Sequence, residues 1–153
     1  IAERDGETGI GGGGFGGTGK GYAQSSTITL TGTTTDGAAT SLFVNGDTST
    51  TIIARGTSTG SFQGFEANVM GVRTGGSAGR GAVNDRIFLR VTGLVFLKAI
   101  DQSSTDLGKA GTTGGWAAEM AFSGTNDMLF QVTGAANMNI SWSCTLNIYE
   151  IKV

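Results

Sequence analysis

The chain has 153 residues, 28 of them Gly and none Pro, with 14% charged residues and a formal net charge of -2. That length suits one domain with a real core, and the balance of charge leaves no basic footprint for nucleic acid or an anionic membrane. With no His and a single Cys, a Ser-His-Asp or Cys-His hydrolytic device, an ordinary zinc site and an intrachain disulfide are all excluded.

Charged residues fall well below the usual quarter, and Thr and Ser fill most other polar positions. Such a surface is hydrated by hydroxyls and backbone, a composition associated with extracellular and virion β-proteins. No apolar run approaches the roughly 20 residues that span a bilayer, so no membrane insertion is expected. The chain opens on Ile1 rather than Met, which predicts a fragment or processed product of something longer.

Residues 1–23 read as a Gly-rich arm or linker. Ordering so much glycine costs backbone entropy and returns little apolar burial. Ile10 and Phe15 are its sizeable anchors, expected to order only if a neighbouring subunit holds them. Within it, Gly14, Gly19 and Lys20 match a phosphate-binding P-loop, but the following position is Gly21 instead of Ser or Thr. The strand before and helix after that such a loop needs are also missing, so the match is one of chance.

From Gln24 the pattern is all-β, predicting a β-sandwich domain, jelly-roll-like, over residues 24–153. Thr27 to Leu30 alternate hydroxyl and aliphatic side chains, and Asp36-Gly37 marks a turn. Further strands are expected over 42–44, 50–54 and 61–73, the last with Phe65, Ala67, Val69 and Gly71 on one face. Residues 74–81 form a Gly/Ser-rich loop carrying Ser77 and Arg80. In the next strand Ile87, Leu89, Val91 and Val95 face one way, with Phe88, Leu94 and Phe96 among those facing the other. Two apolar faces place that strand in the middle of the packing. Residues 101–115 read as a polar, Gly-rich connection containing Asp106 and Lys109.

The last quarter has the strongest period-two signal. Trp116, Ala118, Met120 and Phe122 share a face, then Met128, Phe130 and Val132, then Ile140, Trp142, Cys144, Leu146 and Ile148. Tyr149, Ile151 and Val153 are apolar on the opposite parity, so a bulge or bend is expected near Ile148. Cys144 reads as a buried thiol.

Asp85, Asp101, Asp106, Glu119 and Asp127 are candidate carboxylates for glycoside hydrolysis. Most sit beside Gly, Asn or Ser in predicted turns, where Asp bonds local backbone. No closely spaced set of oxygen ligands suits calcium. No catalytic residue, metal or cofactor is therefore assigned, and no enzymatic activity is expected. Of the tryptophans, Trp142 reads as core, while Trp116 follows Gly114-Gly115 and is a candidate for stacking on a sugar.

Residues 24–153 resemble the C-terminal β-domain of many bacteriophage tail-fibre and related virion proteins. The matching pieces are Ala23-Gln24-Ser25-Ser26, Leu42-Phe43-Val44-Asn45-Gly46, the strand from Phe62 to Arg73, and Trp116-Ala117-Ala118-Glu119-Met120. The most specific are Val132-Thr133-Gly134 followed by Ile140-Ser141-Trp142. The resemblance implies a non-catalytic virion component, commonly a homotrimer, whose partners are itself, other virion proteins and a host-surface glycan. Two alternatives are a capsid decoration protein whose arm clasps a neighbour, and a glycan-binding module. For glycan recognition the loops point to Ser77, Arg80, Asp106, Lys109 and Trp116.

Overall fold

The computed structural model describes residues 7–12, 23–44, 61–77, 85–96, 99–123 and 127–152. The P-loop-like run, Phe15, the expected strand at 50–54 and Arg80 lie outside those residues.

The described chain is all-β and antiparallel, in two layers. The larger sheet runs β1 (Glu7–Gly12), β2 (Ala23–Thr34), β10 (Asn139–Lys152), β5 (Ser61–Gly75), β6 (Arg86–Phe96) and β7 (Ala99–Ala110), with the short β4 (Phe43–Val44) also on β2. The smaller runs β3 (Ala39–Ser41), β9 (Asp127–Thr133) and β8 (Ala117–Ser123). Leu42 joins the layers: its N–H bonds the Phe130 carbonyl at 2.8 Å, while β4 just beyond it pairs with β2.

One core lies between the sheets. Ile28 and Leu30 of β2, Ile140 to Ile148 on the even positions of β10, Phe65 to Val69 on β5, and Ile87 to Val91 on β6 supply one side. Trp116, Ala118, Met120, Met128, Phe130 and Val132 supply the other. Period-two alternation is what lets each strand give one face to this layer. Gln102 of β7 links the sheets, its amide N–H donating to the Met120 carbonyl and its amide oxygen accepting the Met120 N–H, both at 2.9 Å.

At the centre Trp142 lies across Gly71, its cross-strand partner. A Cβ on Gly71 would stand 2.5 Å from the indole, so the glycine makes room for the ring. The indole N–H donates to the buried Thr34 hydroxyl at 3.0 Å, removing the cost of burying that donor.

Four expectations change. Residues 101–110 are the edge strand β7, not a loop; its side chains are largely exposed, so no apolar period marks it. No register shift occurs near Ile148, the irregularity in β10 lying between Asn139 and Ile140. Tyr149 and Ile151 instead continue on the outer face, about half exposed. β6 does lie between two strands, yet Phe88, Leu94 and Phe96 are exposed, so its second apolar face is left uncovered by the described residues. Finally, β1 takes residues from the expected arm into the sheet, pairing Glu7–Gly12 with β2 and setting Ile10 opposite Ser25.

Candidate functional site

Residues 111–116, a turn-rich connection, carry the chain from the edge of the larger sheet to the start of β8. Gly111, at φ 81°, lies against Asp85, where any Cβ would collide with the carboxylate. Asp85 is buried and faces the Arg73 guanidinium at 3.6 Å, while Arg73 also donates to the Gly75 carbonyl at 3.0 Å. Charge pairing and these hydrogen bonds offset the cost of taking the two groups from water. They hold the ends of β5 and β6 and the following connection in place.

Beyond the turn, the Trp116 N–H donates to the Thr113 carbonyl at 3.1 Å. The Trp116 ring meets Trp142 edge-on, with centroids 5.7 Å apart. This is the favourable arrangement for two aromatic quadrupoles. Trp116 is only 5% exposed, so it is not the sugar-stacking surface expected for it. Its indole N–H is buried without a hydrogen-bond partner among the described residues.

Between this connection and β7 opens a cleft of about 610 Å³. Its floor is Ile87 and Leu89; Ser104, Asp106 and Lys109 come from β7, and Thr113 and Trp116 from the connection. The register shift in the β6–β7 pairing between Phe88 and Leu89 sets Asp106 opposite Leu89 and Lys109 opposite Ile87. The extra residue on β7 therefore turns both charged side chains to the cleft side. The Lys109 ammonium donates to Asp106 at 2.9 Å, and the Gly108 N–H donates to the same carboxylate at 3.0 Å. The hydrogen bond from Lys109, aided by that from Gly108, holds the Asp106 carboxyl below its ordinary range.

Asp106, Lys109 and Trp116, three of the sequence candidates, are thus brought to one cleft. Ser77 is exposed just past the end of β5 and is not among the lining residues; Arg80 lies outside the described residues. Sequence reasoning missed Ser104 and Thr113, because reading 101–115 as a loop hid which β7 residues share a face. The other carboxylates are scattered: Asp85 is buried with Arg73, Asp101 is exposed on β7, and Glu119 is exposed on β8. Among the described residues no group of three or more acidic, Cys or His side chains gathers where it could hold a metal ion.

An apolar floor ringed by a carboxylate, an ammonium and hydroxyls can grip a polyhydroxylated ring, with hydrogen bonds to its edge and contact with its C–H face.

No protein-family model matches the chain, and no curated protein matches it in sequence. Among solved structures it is similar to a tailspike protein from a bacteriophage of Acinetobacter baumannii, described as a capsular polysaccharide depolymerase. The identity is 8% and the TM-score 0.44, over 86% of this chain and 20% of that one. It is also similar to the tailspike protein of an Acinetobacter phage, at 14% identity and TM-score 0.42, over 78% of this chain and 21% of that one. The chain spans about a fifth of the length of these tailspike chains. The expectation of a chain without enzymatic activity is corrected by the first of these neighbours, which is itself described as a depolymerase.

Proposed function

We propose that this chain is a structural β-domain of a bacteriophage tail spike or fibre, assembled on the virion with copies of itself, and that the cleft beside β7 contacts a host-surface glycan. The observation that carries the glycan reading is the convergence of Ser104, Asp106, Lys109 and Thr113 around an apolar floor. The hydroxyl-rich composition and the Val132-Thr133-Gly134 and Ile140-Ser141-Trp142 pattern support the virion setting.

The test is a titration of the purified chain with oligosaccharides cut from bacterial surface polysaccharides, read by tryptophan fluorescence. Saturable quenching is expected, weakened at least about tenfold by Asp106→Asn combined with Lys109→Met, the loss expected when a binding group costs about 1.4 kcal/mol. Asp106 is held below its ordinary range, so its carboxylate stays ionised as the pH falls to the usual carboxyl value. Affinity should therefore hold level from neutrality and drop only below about pH 4. Unchanged quenching in the double variant would remove the cleft from the reading. Following reducing ends in the same mixture separates binding from cleavage.

A further inference from the structure

The outer face of the larger sheet has a pattern that a free monomer does not need. At one end Ile151 stands opposite Phe62, which stacks on Phe96 with centroids 4.3 Å apart and rings 4° from parallel. One row inward, Tyr149 and Leu94 flank Gly64, their shared cross-strand partner, leaving a hollow between two apolar walls. These five side chains are 39% to 66% exposed. At the other end Met70 pairs with Phe88, and both line a groove of about 320 Å³ with Leu107. A polar strip separates the ends, where Arg90 faces Glu66 at 3.7 Å and Asn68 at 3.4 Å.

We infer that this face is buried against the same face of a second copy of this chain. The statement deepens the assembly part of the reading above and rests on it. Two observations choose the occupant. The first is area. Aromatic side chains bury 150–250 Å² each, so the eight half-exposed residues offer on the order of 700 Å² of apolar surface. Divided into two patches by the polar strip, it approaches the roughly 800 Å² that each partner gives to a stable interface.

The second is the match of the face to itself. When copies pack about an axis along the strands, like rows meet like rows, apolar on apolar. The central strip carries both signs of charge, so Arg90 of one copy has a carboxylate of the next to face. A partner of single charge would find no such match.

Sedimentation velocity on the full chain at micromolar concentration tests the inference. Leu94→Glu and, separately, Met70→Lys place a charge on exposed positions, so each chain should stay folded, with the parent's far-ultraviolet circular dichroism, while its thermal midpoint falls only by the stability that association contributed. Each should weaken self-association at least 100-fold, while Glu119→Lys on the smaller sheet should leave it intact. An unaltered oligomer in both face variants would overturn the inference and leave assembly standing. A monomeric parent would overturn both, with glycan binding still measurable on the same sample. A monomeric parent in which Leu94→Glu opens Arg4 or Lys20 to trypsin would overturn it by giving the face to the chain's own arm.

Discussion

Trp142 shows how much one side chain decides. It is 2% exposed, bonded to Thr34, edge-on to Trp116 and laid over Gly71. Ile140 and Cys144, two residues either side, are fully buried, as alternation on a single face requires. Trp142→Ala would remove the ring from all of these contacts and strand the Thr34 hydroxyl. A loss of about 3–5 kcal/mol is expected, measured as the shift in the urea midpoint at constant slope. A midpoint within experimental scatter of the parent would mean that the indole does not hold the sheets together. The Arg73–Asp85 pair illustrates the opposite case. Charge-poor sequence gave Arg73 no special weight, yet it is buried to 3% beside an equally buried carboxylate, and removing the guanidinium would leave the Asp85 charge buried without that partner.

At the scale of elements, edge and centre obey different rules. β10 is paired on both sides, to β2 and β5, over nearly its whole length. Its alternation was therefore legible in the sequence, since one face had to be core. Among the described residues β7 pairs only with β6, and it exposes most of its side chains, so its sequence carries no period and reads as loop. What anchors its far side is Gln102, reaching the backbone of Met120 in the other layer. Gln102→Leu would leave both Met120 backbone groups without that partner, at a cost of about 1–3 kcal/mol. The amide of Met120 should then exchange with solvent much faster, while amides of β10 keep their protection. Equal protection at Met120 in parent and variant would show that another group holds the layers. The candidate cleft depended on the same element: Asp106 and Lys109 were picked for their place in an expected loop, but their common orientation follows from a bulge that no motif announces.

For the whole molecule, the packed interior should open as a unit. Cys144 has no exposed surface, and burial pushes its thiol far above the ordinary range, so the reactive thiolate is suppressed in the folded chain. Alkylation should proceed only through global unfolding, its rate rising with urea in step with the loss of tryptophan signal. Rapid labelling in the absence of denaturant would indicate a gap between the sheets. The sequence by itself determined the all-β class, the core-facing parity of β5, β8, β9 and β10, and the burial of Trp142 and Cys144. Each of these follows from a local period imposed by one dry face. Tertiary structure alone decided the order of strands, the membership of β1 and β7 in the sheet, the burial of Trp116 and the meeting of Asp106 with Lys109 at one cleft. The apolar parity of Tyr149 and Ile151 belongs there too. Read locally it demanded a bulge, but hydrophobic residues on the second face of an unbroken strand mark a surface left bare by the described residues. A period reports that a face is apolar, not which body covers it.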